Sequence, residues 1–289
     1  MDGMAPSLVG SEAKGLMPAG RAFYKMSGSG NDFVFFDLAD GPAGDLATAP
    51  GIQEICARGT GVGADGVVFF DRSDPRAPAI TYYNSDGSGG ELCGNATLCT
   101  VRLAELLGTR CDDGVTIRTD AGDVAARLVE GLPEIDLEAV AGVQAEFPDI
   151  PAAGSEKRLG YAQVGVPHIV VEVADVATVD VMGRGSRIRR DRSLAMGANV
   201  NFLAPANDGS WMIRTYERGV EGETLACGTG AVASAILLEA WGRATSPVRL
   251  VARSGRTLTV RLRREGELWY PSLRGSAELV FTGQLPPSA

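Results

Sequence analysis

Two cysteines of this chain sit in matching contexts: Cys93-Gly94-Asn95-Ala96 and Cys227-Gly228-Thr229-Gly230. Each follows a β-rich run that ends in a tyrosine and a polar residue, Tyr83-Asn84 or Tyr216-Glu217. Each precedes an Ala/Leu-rich run, 96–107 or 229–241, closed by Gly108 or Gly242, the residue type that commonly ends a helix. From 83 to 93 is ten positions and from 216 to 227 is eleven, so the chain reads as two homologous half-structures, each presenting one thiol at a helix start. A helix start offers unpaired N–H groups and a positive dipole end, which stabilise anions and can lower a thiol pKa from about 8.5 into roughly the 3.5–7.5 range. Two thiols facing each other across a cleft, one ionised, can take a proton from a carbon and return one to its opposite face, which inverts a stereocentre. The same helix ends could hold an α-carboxylate on backbone N–H groups, with Gly94, Gly228 and Gly230 permitting close approach.

The elements that must position these thiols are mostly short strands. Turn-bounded β runs are expected at 22–26, 33–38, 66–71, 80–84, 115–119, 124–128, 134–137, 161–164, 168–173, 201–203, 211–216, 248–252, 257–263 and 276–281,. Shorter helices are expected at 52–58 and 181–189. One main helix among many strands in each half predicts an α+β repeat. Residues 1–21, rich in Gly, Ala, Pro and Ser, read as a flexible extension. Residues 22–139 form the first half, completed by 276–289, and 140–275 the second.

At 289 residues, 45% hydrophobic and 22% charged, the chain fits a globular enzyme with a sizeable core,. A net charge of −9 argues against nucleic acid or an anionic membrane as partner,. No apolar run approaches a membrane span, and five cysteines without an export signal fit a reducing cytoplasm,. Competing catalytic groups are scarce. One histidine, His168, supports neither a histidine-rich metal site nor a triad with a spare, and three lysines, Lys14, Lys25 and Lys157, offer no convincing pyridoxal phosphate anchor. Gly61-Val62-Gly63-Ala64-Asp65-Gly66 leads into an apolar strand, not a helix, and is expected to be a turn rather than a dinucleotide loop,. Neither cofactor nor metal is expected.

Several motifs, in order, resemble the diaminopimelate epimerase family. They are Tyr24 to Phe33 (YKMSGSGNDF), the Gly61 to Gly66 turn, Asn84-Ser85-Asp86-Gly87-Ser88 with Cys93-Gly94-Asn95, Pro167-His168, Asn199-Val200-Asn201-Phe202, and Tyr216-Glu217-Arg218-Gly219 with Thr224 to Ala231 (TLACGTGA). The resemblance continues to the C-terminal Gly275 to Phe281 and so covers nearly the whole chain. It implies two pseudo-symmetric α+β domains, each a sheet wrapped around a central helix, and cofactor-free two-base conversion of LL- to meso-diaminopimelate for lysine and peptidoglycan precursors. By position, Cys93 and Cys227 would be the bases. Asn31, Asn84, Asn199, Glu217 and Arg218 would contact the substrate through side chains, and Gly94, Asn95, Gly228 and Thr229 would bind the reacting carboxylate through their backbone. Related enzymes imply a homodimer acting on a small amino acid.

The chemistry of a substrate with two amino-acid ends agrees with these roles. Its distal end needs a guanidinium for the carboxylate and an acid with amides for the ammonium, and Glu217-Arg218 beside Gly219 offers that pair, although an arbitrary Glu-Arg would more simply be an exposed ion pair. The chain also departs from the family pattern. Ala96 and Leu98 stand where the family usually has Gly and Arg, Val166 replaces a common Asn, and some members carry Gln where Gly66 stands here. These departures make a related racemase of altered or broad specificity the alternative. A thiol redox or metal protein lacks its Cys-x-x-Cys or His cluster. Cys56, Cys99 and Cys111 read as small buried hydrophobes, Asn31 alone would pass for a turn residue, and His168 is either structural or a group that orders the cleft.

Overall fold

The computed structural model describes residues 20–90, 93–109 and 111–286; the expected extension, apart from its last residues, lies outside them. Two successive stretches run through one order of elements. The first contains β1 (Arg21–Gly28), β2 (Asn31–Asp37), α1 (Ala49–Cys56), β3 (Gly66–Asp71), β4 (Ala79–Asn84), β5 (Gly89–Gly90), α2 (Gly94–Leu106), β6 (Val115–Thr119), β7 (Gly122–Val129) and β8 (Leu132–Asp136). The second repeats it with β9 (Glu156–Val164), β10 (Val166–Val173), α3 (Val181–Arg189), β11 (Asn199–Pro205), β12 (Trp211–Glu217), β13 (Gly222–Thr224), α4 (Gly228–Ala240), β14 (Val248–Val251), β15 (Thr257–Glu265) and β16 (Leu268–Arg274). The architecture is α+β. Among the strands of the described residues, parallel pairs span a helical crossover: β2 with β3 and β10 with β11 around the short helices, β4 with β6 and β12 with β14 around the long ones,.

Strand register makes the repeat quantitative. Phe33 pairs with Gly66 and Gly66 with Asn84; His168 pairs with Asn199, and Val200 opposite Tyr216 places Asn199 opposite Glu217. Equivalent positions are therefore Phe33 and His168, Gly66 and Asn199, Asn84 and Glu217, Tyr82 and Thr215. The extra residue of the second copy falls in the turn after β12, which carries Arg218.

Helices α2 and α4 bury unbroken stretches, Gly94 to Val101 and Ala231 to Leu238. A stretch buried on every face belongs inside a protein, and each is enclosed by strands within one shared core that includes Leu98, Leu103, Ile236, Leu237 and Leu273. Burying one such Leu or Ile contributes roughly 1.5–3 kcal/mol. Two strand pairings among the described residues join the halves. β17 (Ala277–Leu285) pairs with β1, and β8 pairs with β16 through Ile135 and Leu273. Leu273 then touches both long helices at their starts: a Cβ on Gly94 would lie 3.3 Å from Leu273 Cδ2, and one on Gly228 3.0 Å.

The structure adds strands β5, β13 and β16 to those expected, begins β9 at 156 rather than 161, and shifts the first helix. β16 is a strand where none was expected; the missing N–H of Pro271 costs nothing there, since its carbonyl accepts from Leu137 N at 3.0 Å and β8 pairs with β16 at Ser272, Leu273 and Arg274,. α1 spans 49–56 rather than 52–58, since Thr48 caps it by accepting from Gly51 N at 3.3 Å and Pro50 fits its first turn,.

Candidate active site

Cys93 and Cys227 hold the residue just before α2 and α4, with extended backbone at φ −123°, ψ 108° and φ −140°, ψ 111°. Their carbonyls accept the first helical hydrogen bonds, from Thr97 N and Ala231 N, both at 2.9 Å. The N–H groups before those have no helical partner, and those of Asn95 and Ala96 near Cys93 and of Gly230 near Cys227 favour a charged sulfur without forming a cap hydrogen bond to it. A hydroxyl also lies near each sulfur, Tyr82 at Cys93 and Thr229 at Cys227, the latter at 3.6 Å.

Both cysteines open on one cavity of about 340 Å³ between the helix starts, within the roughly 300–1,000 Å³ of small-molecule sites. It brings together the residues expected as bases or substrate contacts, Asn31, Asn84, Cys93, Gly94, Asn95, Asn199, Glu217, Arg218, Cys227, Gly228 and Thr229, while Gly230 and His168 do not line it. Tyr82, Gly90, Val164, Gly165, Val166 and Ala226 line it as well. Of these, Tyr82 went unnoticed. The signal was available, because residues two apart on a strand share a face and Asn84 was already a candidate.

Hydrogen bonds fix the amides. Asn95 Nδ2 donates to Asn31 Oδ1 at 2.6 Å, and Asn31 Nδ2 donates to Asp65 Oδ2 at 3.0 Å. Arg58 bridges Asp65 and Asp32, while Lys25 holds Asp32 from behind at 2.6 Å. The glycine-rich segment is indeed a turn, with Gly63 at φ +77°, and it delivers Asp65 to this chain of contacts. In the other half, Asn199 Oδ1 accepts from Arg218 N at 2.8 Å, and Arg218 Nη1 donates to Met196 O at 3.1 Å, which aims the guanidinium along the cavity rim. Glu217 has no ion-pair partner among the described residues, unlike an ordinary surface Glu-Arg pair.

Burial overrides the helix dipole at both sulfurs. Desolvation pushes the Cys93 thiol up to about 11 and the Cys227 thiol up to about 12. The nearby Glu217 carboxylate adds to both shifts, and the backbone donors offset only part of them. This corrects the expectation of a low thiol pKa: without a ligand both groups are protonated at neutral pH. Glu217 is itself shifted upward by burial, so the cavity favours an incoming cation.

The remaining readings divide clearly. Cys56, Cys99 and Cys111 are buried packing residues. Ala96 and Leu98 are fully buried in the core and do not line the cavity, so of the departures at 96, 98 and 166 only Val166 faces it. His168 is fully buried behind the site, with Nδ1 3.2 Å from Asn201 Nδ2; burial and the nearby Arg218 charge push its pKa down to about 3, so it is neutral. Asn201 also accepts from Thr215 Oγ1 at 2.9 Å and backs Gly230 so closely that a Cβ there would fall 2.3 Å from its Oδ1. Among the described residues, no three His, Cys, Asp or Glu side chains cluster as metal ligands, and no helix is long and apolar enough to cross a membrane.

The family model for diaminopimelate epimerase matches residues 23–135 and 160–280, one match on each repeat. The chain belongs to the diaminopimelate epimerase family. It is 44% identical over 277 residues to a diaminopimelate epimerase from Gemmatimonas aurantiaca, covering 91% of this chain and 99% of that one. With a diaminopimelate epimerase from Aquifex aeolicus it shares 37% over 273 residues, 91% of this chain and 97% of the relative. The fold extends beyond the diaminopimelate epimerases. A phenazine biosynthesis protein of the PhzF family from Enterococcus faecalis superposes with a TM-score of 0.67 at 15% identity, over 92% of this chain and 99% of that one. A hydroxyproline epimerase from Agrobacterium vitis does so at 0.63 and 16%, over 93% and 92%.

Proposed function

We propose that this protein is a diaminopimelate epimerase that converts the LL to the meso isomer with Cys93 and Cys227 as its two bases and without a cofactor. The observation that carries this reading is the pair of equivalent cysteines at two helix starts on one cavity. The reacting carboxylate lies between those starts, on the N–H groups of Gly94, Asn95, Gly228 and Thr229. When one thiolate takes the α-proton, the electron pair left on carbon spreads into that carboxylate, and donors already aimed there stabilise the transition state more than the ground state. The other thiol gives its proton to the opposite face, so the enzyme ends with the same number of protons on exchanged sulfurs. At the distal end, Arg218 takes the carboxylate, and Glu217 with Asn84 and Asn199 takes the ammonium. A cation on Glu217 offsets the charge that helps hold both thiols protonated, so substrate binding itself favours thiolate formation.

The enzyme acts in the cytoplasm as a homodimer. In support of the dimer, β17 has a strand partner on one side only among the described residues, and its neighbouring Leu279, Val280 and Phe281 are all exposed; such an edge is a template for a second copy. The test of function is NMR of purified protein in deuterated water with LL-diaminopimelate and a panel of amino acids. Deuterium should enter the α-position of diaminopimelate as the meso isomer forms, unaffected by chelator or added pyridoxal phosphate. Faster exchange with an amino acid lacking a distal carboxylate would reverse the substrate assignment in favour of a broader racemase, the reading that Val166 at the distal end supports.

A further inference from the structure

The two thiols differ in their surroundings in one respect that their shared chemistry does not require. Tyr82 lies on β4 with its side chain on the same face as Asn84, and its ring occupies a slot made by missing side chains. A Cβ on Gly90, directly opposite in β5, would fall 2.5 Å from its Cδ1. A Cβ on Gly66 would fall 2.6 Å from its Cε2 and 3.0 Å from its hydroxyl oxygen. Held there, the hydroxyl donates to Asn84 Oδ1 at 2.9 Å and faces the Cys93 thiol in the shared cavity, close enough to bear on its ionisation. In the second half the equivalent Thr215 turns away and donates to Asn201 instead, leaving Cys227 with the Thr229 hydroxyl at 3.6 Å.

A phenol has one proton to donate and lone pairs to accept. While Tyr82 donates to Asn84 it can only accept from the Cys93 S–H. Once Cys93 is a thiolate, O–H···S⁻ is a charge-assisted bond and stronger than the neutral bond to Asn84. We propose that Tyr82 is the positioning residue of the Cys93 half-site: its hydroxyl turns from Asn84 to the sulfur as that thiol ionises, which makes Cys93 the more readily ionised of the pair. This deepens the epimerase reading and rests on it. No bond to Tyr82 breaks; the hydroxyl rotates about its C–O bond, and the Cys93 proton leaves to solvent through the open cavity. The same rotation frees Asn84 Oδ1 to accept from the distal ammonium, so substrate binding and ionisation of Cys93 draw on one movement. The other titratable groups facing Cys93 are Glu217, Cys227 and Cys99, with Asp65 beyond Tyr82. Glu217 bears on both thiols and does not distinguish them.

The test is residue-resolved alkylation by iodoacetamide across pH, read by mass spectrometry, on wild-type protein and on Tyr82→Phe, which keeps the ring in its slot. In wild type the Cys93 alkylation rate should rise at lower pH than that of Cys227. In Tyr82→Phe the Cys93 profile should move up by about one pH unit, the effect of losing a hydrogen bond to a charged group, with the Cys227 profile unmoved, kcat for LL-diaminopimelate reduced about tenfold and the melting temperature retained. A wild-type order in which Cys227 reacts at lower pH would overturn the proposal whatever the variant does, as would a variant in which the Cys93 profile stays put or both profiles move together. Alkylation is read without substrate, so these outcomes are independent of whether diaminopimelate is the substrate.

Discussion

Tyr82 and Thr215 occupy equivalent places in the two repeats, yet one faces the Cys93 sulfur in the cavity and the other turns to the Asn201 amide behind it. The same divergence recurs at each equivalent pair around the cavity. Asn84 corresponds to Glu217, a neutral amide to a half-buried carboxylate; Gly66 corresponds to Asn199 and Phe33 to His168. At the helix starts themselves the backbone is nearly identical. Two helix ends with matched N–H groups suit a nearly symmetric event, a proton leaving one face of a carbon and arriving at the other, and the backbone supplies that symmetry. The substrate is not symmetric about the reacting carbon. One side chain must be recognised, and on the proposed reading that task falls to the second repeat, whose Glu217 and Arg218 line the cavity.

The largest expected effects test the symmetric part. Cys93→Ala and Cys227→Ala should each lower inversion of LL-diaminopimelate by at least about a thousandfold, in the upper part of what a positioned acid or base contributes, while circular dichroism and melting stay near wild type. Epimerisation surviving at more than a few per cent in either variant would break the equivalence. The asymmetric part comes next. Arg218→Ala should raise KM about ten- to a hundredfold, the loss of a hydrogen bond to a charged group, and Asn84→Ala should raise it less; equal effects would mean that recognition is shared between the halves.

Packing gives a third contrast. Ala96 and Gly230 are equivalent, each three residues after its cysteine, but only Gly230 is backed by Asn201, whose amide is engaged by His168, Ile169 O and Thr215. Gly230→Ala should therefore cost roughly 1–3 kcal/mol of stability by overpacking and displace Cys227, since the new methyl would also lie 3.2 Å from its sulfur. Ala96→Gly should cost only about 1 kcal/mol through helix propensity, both read by denaturant unfolding.

A fourth contrast is acid sensitivity. His168 in the folded protein protonates only near pH 3, whereas in the unfolded chain it does so near about 6.5. The unfolded state binds the proton first, so stability present above about 6.5 is lost as pH falls toward 3. Replacing His168 by the residue of the other half, His168→Phe, should flatten that part of the stability profile in urea titrations from pH 7 to 4. The smallest change is Val166→Asn, which restores an amide at the distal end and should lower KM for LL-diaminopimelate several-fold. Gln163 does not already fill this role: it does not line the cavity, and its Oε1 accepts from Tyr161 at 3.4 Å.

These contrasts also show what could be read from the chain directly. Short strands, two long helices and the paired cysteines were legible because turn residues, apolar runs and Cys-Gly junctions are local signals. Strand β16 was not, since Pro271 breaks the pattern and only the partner strands reveal that its missing N–H is harmless. The thiol pKa was misread for a related reason. A helix N-terminus is visible in sequence, whereas desolvation depends on Glu217 and the cavity walls that the fold brings around the sulfur. Tyr82 escaped because its role depends on two absent side chains, at Gly66 and Gly90, one of them sixteen positions away along the chain.

Leu273 gives the duplication a point at which it is no longer two of everything. Its side chain rests on the start of α2 and on the start of α4, and its counterpart Ile135 would lie 3.9 Å from a Cβ placed on Gly94. Elsewhere an ancestral change in one repeat could be tolerated while the other kept the original residue. A change at Leu273 is inherited by both half-sites in the same generation, so this position ties the two lineages of the repeat to a common history and narrows what either can become alone.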